Sequence, residues 1–325
     1  MTKIDIISGF LGAGKTTLIK KLLKDALAGT RVVLIENEFG EIGIDGGFLK
    51  ESGIEIREMN SGCICCSLVG DFGTSLREVM DKYAPERILI EPSGVGKLSD
   101  VMKAVQDASE GSDMKLNSAV AVVDASKCKL YIKNFGEFFV NQIEYAGTII
   151  LTRTDKVSDA RIAECVEILR EHNSKATIIT TPIAELDGAR ILETIEGRAD
   201  LQAQILAEVM SEHDEDEDEH EHHHHHHHHG GHDADEIFQS WGMETPAKYS
   251  EEEIREILAK LDDEQTYGIV LRSKGMVPDG QGNWVHFDYV PEETEVRLGA
   301  ADVTGKICVI GSGLKEDALA DLFRK

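Results

Sequence analysis

The stretch "KIDIISGFLGAGKTT", residues 3–17, decides the fold of the amino-terminal part of the chain. Its apolar run, Ile4–Ile7, predicts a buried strand, and the segment Gly9–Thr16 fits the pattern G-x-x-x-x-G-K-[ST] ahead of a helix predicted to start near Lys15. Glycines in this context let backbone N–H groups curl around phosphate at a helix amino terminus. We predict a phosphate-binding loop with these nucleotide-binding residues: Gly9, Gly12, Ala13, Gly14, Lys15, Thr16 and Thr17.

Two side chains of this loop have predicted roles. Lys15 is expected to reach the β- and γ-phosphates of a nucleoside triphosphate, and the Thr16 hydroxyl is expected to ligate Mg²⁺. The alternative is a glycine-rich turn that binds no ligand. The preceding strand and the following helix favour the phosphate-binding interpretation.

Apolar, β-branched runs alternate with helical periods throughout residues 1–205. Strands separated by helices predict an α/β fold with a doubly wound, mostly parallel sheet. The six predicted strands lie in "KIDIIS", "RVVLIE", "RILIE", "SAVAVVD", "TIILT" and "ATIITT".

The rest of the chain divides into a linker and a smaller domain. Residues 213–236 are charged and almost free of apolar side chains, so we predict a linker over 206–243. Residues 244–325 begin with a helical pattern in "SEEEIREILAKL" and continue with strand-like pieces in "YGIVLRSKGMV", "WVHFDYV" and "KICVIGS". This order predicts a small α+β domain.

Charge and composition exclude some partners. The formal net charge of the 325 residues is −26, and the eleven acids of residues 211–236 account for only part of it, because −26 + 11 leaves −15. An acidic surface argues against nucleic acid or an anionic membrane as a partner and favours cations. The sequence lacks a convincing signal peptide or membrane span, so we expect a cytoplasmic protein with reduced thiols.

An acidic partner for Mg²⁺ is expected at the end of a neighbouring strand, and "RILIEPSG" supplies Glu91 there. Gly94 follows at the spacing of the GTPase D-x-x-G motif, in which the glycine amide senses the γ-phosphate, with Glu in place of Asp. The alternative is a solvated carboxylate at a strand end.

Base selection is expected at the end of a later strand, where GTPases carry N-K-x-D. Here "TIILTRTDK" has Asp155 at the position that accepts hydrogen bonds from the guanine N1 and N2 hydrogens. Arg153 replaces the lysine and is expected to lay its aliphatic stem along the base. Guanine is therefore favoured, although an ordinary strand-end turn remains an alternative.

Three cysteines lie close together in "GCICC": Cys63, Cys65 and Cys66. Three thiolates suit Zn²⁺ or Cu(I), with a fourth position left for another ligand, as expected of a metal in transit. A redox cysteine pair and buried small residues are the alternatives. The other cysteines, Cys128, Cys165 and Cys308, are each expected to stand alone as buried fillers.

Eight consecutive histidines lie within the acidic linker, and neutral imidazoles bind Zn²⁺, Ni²⁺, Co²⁺ and Cu²⁺ with little selectivity. We predict a loose metal reservoir. An internal affinity tag or a solvated linker without a metal role are the alternatives. The eight residues are His222, His223, His224, His225, His226, His227, His228 and His229.

The motifs "SGFLGAGKTT", "ENEFGEIGID", "GCICC", E-x-x-G and the carboxy-terminal "HFDYVP" with "KICVIGSGL" together resemble the CobW-type metallochaperone GTPases. The resemblance covers nearly the whole chain. It implies a P-loop GTPase domain, a CobW carboxy-terminal domain, and slow GTP hydrolysis with Lys15, Thr16 and Glu91 as catalytic residues. It also implies that zinc, or else Co²⁺ or Ni²⁺, binds at C-x-C-C and is delivered to a client metalloprotein.

The sequence departs from that family pattern at two places, and two competing functions are compatible with it. "EPSG" stands where many members carry a threonine pair, and "TRTD" replaces N-K-x-D. A P-loop small-molecule kinase would have no need of the thiol cluster, and a zinc storage protein with a vestigial nucleotide site would not need intact Lys15, Thr16 and Glu91. A homodimer is compatible with the sequence.

Overall fold

A computed structural model describes residues 1–36, 55–58, 69–197, 205–206, 237–299 and 304–324 of the chain. The chain divides into two compact units, whose described residues run from Met1 to Leu206 and from Ile237 to Arg324. Cys63, Cys65, Cys66 and the eight consecutive histidines lie outside the described residues. The predicted boundaries at 205 and 243 stay predictions.

The first unit contains a parallel sheet in the order β3-β2-β4-β1-β5-β6-β7. All six predicted strands are present, and the predicted α/β fold is confirmed. The edge strand β3 is an addition, and it pairs in parallel with β2. The strands are β1 Thr2–Gly9, β2 Val32–Glu36, β3 Glu55–Glu58, β4 Arg87–Glu91, β5 Met114–Asp124, β6 Thr148–Thr152 and β7 Thr177–Ile179.

Helices follow most of these strands. α1 begins at Lys15, as predicted, and α4 departs from helical geometry at Phe135, where φ is −138° and ψ is 35°. No helix within the described ranges is long and apolar enough to span a membrane. The helices are α1 Lys15–Asp25, α2 Val69–Tyr83, α3 Leu98–Ser109, α4 Cys128–Glu144, α5 Asp159–His172 and α6 Gly188–Glu196.

The central strands are apolar on both faces because helices cover both sides of a parallel sheet. On one face, Ile7, Leu34 and Val120 pack with Leu22 of α1 and Ile191 of α6 in one buried cluster. Neighbouring strand residues that point the other way, such as Ile6 and Ile90, are also fully buried. This double burial explains why the strands read as continuous apolar runs.

A buried polar cluster lies towards the amino ends of β1, β4 and β5. The Asp5 carboxylate accepts hydrogen bonds from Arg87 at 2.6 Å, Asn117 at 2.7 Å and Ser118 at 2.6 Å. Arg87 also contacts Glu196 at the end of α6. Burial raises the pKa of the Asp5 carboxyl, although the Arg87 guanidinium and the two neutral donors act in the opposite direction.

The second unit is an antiparallel sheet in the order β11-β10-β9-β12-β8, with helices packed on one face. The predicted helix and the three predicted strand pieces are present. β8 and β11 were not predicted, and β8 begins ahead of residue 244. The elements are β8 Gln239–Thr245, α7 Glu251–Leu258, α8 Glu264–Tyr267, β9 Ile269–Pro278, β10 Trp284–Val290, β11 Glu293–Gly299, β12 Gly305–Ser312 and α9 Glu316–Phe323.

Candidate functional site

The segment Gly9–Thr16 is a loop between β1 and α1, and its glycines are needed for its backbone path. Gly12 and Gly14 have φ values of 69° and 98°, in the region that side chains other than glycine rarely adopt. At Gly9, where φ is 147°, an added Cβ would lie 2.3 Å from the carbonyl oxygen of Val122. The loop therefore turns sharply at the carboxyl ends of two adjacent strands, β1 and β5.

Side-chain donors bind the carbonyl groups of this loop. Lys15 Nζ donates to Gly9 O at 2.9 Å, and Thr152 Oγ1 donates to Ala13 O at 2.8 Å. Arg153 Nη1 donates to Gly12 O at 2.9 Å. Because the carbonyls are held in this way and the first N–H groups of a helix have no intrahelical partner, the loop presents N–H groups to a ligand.

Thr16 and Glu91, the two predicted Mg²⁺ ligands, are in contact with each other. Thr16 Oγ1 donates to the Glu91 carboxylate, with distances of 3.1 Å and 3.3 Å to its two oxygens. Glu36, at the end of β2, lies directly opposite Glu91 in the strand register and is buried. A hydroxyl and carboxylates are the oxygen ligands that Mg²⁺ prefers, so the residues present fit this ion.

Gly94 lies against the phosphate-binding loop. A Cβ added at Gly94 would lie 2.9 Å from the backbone nitrogen of Leu11. Only glycine allows this approach, since no real Cβ contacts a backbone nitrogen so closely. The E-x-x-G segment and the loop Gly9–Thr16 are therefore in direct backbone contact.

The segment "TRTD" combines two different environments. Arg153 has a φ of 55°, and its guanidinium forms an ion pair with Asp124 at 2.6 Å in addition to its bond to the loop. Asp155 is exposed in a short 3₁₀ turn, Thr154–Lys156. The Arg153 guanidinium thus holds the phosphate-binding loop, a contact that the sequence analysis did not anticipate.

Three further side chains at this edge were missed by the sequence analysis. Asp124 ends β5, next to β1, and a carboxylate at a strand end could have been predicted as a site residue from the sequence. Asn141 and Gln142 of α4 bind the segment that follows Glu91, and nothing in their local sequence indicates it.

Cys128, Cys165 and Cys308 are buried, as predicted, but Cys128 and Cys165 do not stand alone. The neighbouring Cys165 thiol, together with burial, raises the pKa of the Cys128 thiol well above its ordinary value. The Cys128 thiol therefore stays protonated and packs as a neutral side chain in α4. Within the described ranges, no group of three or more metal-ligating side chains occurs.

A glycine loop whose carbonyls accept hydrogen bonds from side chains, a buried lysine, and a Thr–Glu pair that fits Mg²⁺ define a P-loop nucleotide-binding protein. A family model described as "CobW/HypB/UreG, nucleotide-binding domain" matches residues 3–180. A second, described as "Cobalamin synthesis protein cobW C-terminal domain", matches residues 238–325. The chain belongs to the CobW/HypB/UreG family.

Similar proteins include two curated zinc chaperones. The chain is 32% identical over 217 residues to zinc chaperone CobW of Sinorhizobium sp, covering 58% of this chain and 61% of that protein. It is 28% identical over 197 residues to zinc chaperone YjiA of Escherichia coli, covering 59% and 61%. The chain thus spans about three fifths of the length of these relatives.

Among solved structures, the Zn(II)-bound YjiA GTPase from E. coli aligns over 100% of this chain and 99% of that chain. The sequence identity is 21% and the TM-score is 0.44.

Proposed function

We propose that this protein is a GTP-hydrolysing metallochaperone that binds zinc and delivers it to a client metalloprotein. The observation that carries the proposal is the contact between Thr16 and Glu91 beside the glycine loop. Family membership and the names of the relatives, which are zinc chaperones, support the choice of substrate and cargo. The reducing cytoplasm suits thiolates that carry metal, so we propose that location.

The residues at this edge have distinct proposed roles in hydrolysis. The N–H groups of the loop and Lys15 bind the phosphates, and Gly94 N–H meets the γ-phosphate. Thr16 and Glu91 hold Mg²⁺, which when bound neutralises charge on the β- and γ-phosphates. Catalysis then consists of positioning and electrostatic stabilisation by these groups.

Asp155 is proposed to select guanine. Its exposed carboxylate can accept from guanine N1 and N2, whereas adenine has an acceptor at N1 and no N2 amine. ATP should therefore displace labelled GTP poorly. Equal competition by ATP and GTP would contradict the assignment, and Asp155→Asn should weaken GTP binding without altering the affinity for ATP.

Cys63, Cys65 and Cys66 are proposed to bind one transition ion tightly, and the eight consecutive histidines to bind several more loosely. Deletion of residues 213–232 should lower the metal stoichiometry and leave the tight site. Replacement of the three cysteines by serine should have the opposite result. If the tight site is lost with the deletion and survives the serine replacements, the two assignments are reversed.

The decisive test asks whether nucleotide changes the affinity for zinc. A competitive titration with a chromogenic chelator is run with Mg²⁺–GDP and with a non-hydrolysable Mg²⁺–GTP analogue. Linkage requires that zinc shift the relative binding of the two nucleotides by the same factor, about 5–150-fold for a typical coupling. Equal zinc affinities in the two states would leave a GTPase and a metal binder that are not coupled, and the chaperone proposal would fail.

A further inference from the structure

Gln142 of α4 binds the loop that follows β4 through its side-chain amide. Nε2 donates to Gly94 O at 3.2 Å and to Gly96 O at 2.9 Å, and the side chain is only 1% exposed. Because both neighbours are carbonyl oxygens, the nitrogen end of the amide must face them. One buried residue therefore holds two backbone positions that lie 48 and 46 residues away from it in the sequence.

The other end of this amide is not satisfied. Gln142 Oε1 is buried without a hydrogen-bond partner among the described residues. Burying an unpaired acceptor costs stability, so an apolar side chain of the same length would pack at lower cost if packing were all that mattered. The donor end must account for the choice of glutamine.

Asn173, which directly follows α5, is a structural amide for comparison. Its Nδ2 donates to Ile143 O at 2.8 Å and Ala146 O at 2.9 Å, and its Oδ1 accepts from Ala176 N at 2.8 Å. Both ends of Asn173 are satisfied, and all of these partners lie away from the phosphate-binding loop. Gln142, in contrast, uses only the nitrogen end of its amide, and that end contacts the E-x-x-G segment.

The loop held by Gln142 is buried and contains a hydrogen-bonded turn. Gly96 N donates to Ser93 O at 3.1 Å, and residues 92–96 are all buried. Gly94 touches the backbone of Leu11, and Glu91 touches Thr16. The position of the Gly94 backbone thus depends on contacts from the phosphate-binding loop on one side and from Gln142 on the other.

The same helix also contacts the segments on either side. Asn141 Oδ1 accepts from Ser99 N at 3.2 Å and so caps the first turn of α3, whose own preceding residue provides no side-chain cap. Phe10 of the phosphate-binding loop packs against the rings of Tyr131 at 4.6 Å and Phe135 at 5.5 Å. α4 is therefore a common support for the phosphate-binding loop and for the segment after Glu91.

We infer that Gln142 is a positioning residue that fixes the Gly94–Gly96 backbone so that the Gly94 N–H meets the γ-phosphate. The inference rests on the proposed binding of GTP at this site. Only GTP has a γ-phosphate, so Gln142 supports GTP binding and leaves GDP binding nearly unchanged. Replacement of a residue with a purely structural role would weaken the binding of both nucleotides equally or of neither.

The test compares two near-isosteric apolar replacements in the full-length protein. For Gln142→Met and Asn173→Leu, calorimetry gives the affinities for GDP and for a non-hydrolysable GTP analogue with Mg²⁺. Loss of the two hydrogen bonds in Gln142→Met should lower the ratio of GTP-analogue to GDP affinity by about tenfold. Asn173→Leu should lower the melting temperature and leave that ratio unchanged.

Gln142→Asn serves as a second variant, because it keeps a polar amide that is too short to reach both carbonyls, and it should lower the ratio as well. A ratio within twofold of the wild type in either folded Gln142 variant would overturn the inference. If the wild type binds neither nucleotide, the proposed function fails instead, and the two failures are thereby distinguished.

Discussion

The two ends of the parallel sheet carry polar groups of opposite kinds. At the amino ends, side chains bind one another, and Asp5 receives three hydrogen bonds from Arg87, Asn117 and Ser118. At the carboxyl ends, side chains bind the backbone carbonyls of a glycine loop. The first arrangement closes on itself and stabilises the fold, whereas the second leaves backbone N–H groups for a ligand.

The largest effect is expected at the carboxyl end, from Lys15→Ala. This change removes the one buried ammonium group of the glycine loop, and we expect hydrolysis to fall by about a thousandfold, as for loss of a strong electrostatic contact to the transition state. Circular dichroism should show an intact fold. Lys24→Ala, an exposed lysine in the same helix, is the control and should retain full activity. Substantial hydrolysis by Lys15→Ala would contradict the assignment of ligand binding to the carboxyl ends of the strands.

The amino end should behave in the reverse manner. Arg87→Met leaves a buried Asp5 carboxylate without its counter-charge and should lower the free energy of unfolding by about 3 kcal/mol. Nucleotide affinity should stay within about twofold of the wild type, because Arg87 lies at the end of β4 opposite to Glu91. Urea unfolding and nucleotide titration measure the two quantities.

The pH dependence of Arg87→Met follows from the raised pKa of Asp5. When the pKa of a carboxyl is higher in the folded state than in the unfolded state, the protein loses stability as the pH rises through the folded-state pKa. The deficit of the variant should therefore be greatest at neutral pH and shrink as the pH falls. A deficit that grows on acidification would contradict the role assigned to Asp5.

Gly94→Ala sharpens the comparison by adding a single methyl group at the carboxyl end. The new Cβ would meet the Leu11 backbone and force the two loops apart, so we expect the affinity for a GTP analogue to fall by about thirtyfold. Gly73→Ala is the matched control, because its Cβ would lie at an ordinary 3.7 Å from Ala108. If the two changes lowered the affinity equally, the close approach of Gly94 to Leu11 would not explain the effect of Gly94→Ala.

The smallest effect is expected from Thr152→Val, which keeps the shape of the side chain and removes the hydrogen bond to Ala13 O. Loss of one such bond should weaken nucleotide binding by about fivefold. Thr148→Val, at the opposite end of the same strand, should leave nucleotide binding unaltered. The pair repeats the comparison between the two ends of the sheet within the single strand β6.

The strands that the sequence analysis missed have a common position. In the sheets that the described residues form, β3, β8 and β11 are edge strands. An edge strand needs fewer apolar residues than a central one, and "EIRE" and "ETEVRLG" are accordingly rich in charge. Hydrophobic patterns identify strands by burial, so the central strands were found and these edges were not.

The same division applies to the candidate site. Lys15, Thr16 and Glu91 follow from local spacing, because the motif itself dictates the loop and the strand end. The bonds from Gln142 to Gly94 and from Arg153 to Gly12 join distant parts of the chain. No local pattern contains them, since they depend on how α4 and β6 pack beside β1.

The central place of β1 in its sheet affects how the protein folds during synthesis. β1 is synthesised before the other strands of its sheet, but in the described part of the chain its partners are β4 and β5, beginning at Arg87 and Met114. The hydrogen bonds of this apolar strand therefore cannot form until its partners have been made. In the second unit, β9 and β10 pair as a hairpin of neighbouring strands. Because long-range parallel pairing is slow and local pairing is fast, we expect the first unit to fold more slowly than the second and to need protection from aggregation for longer.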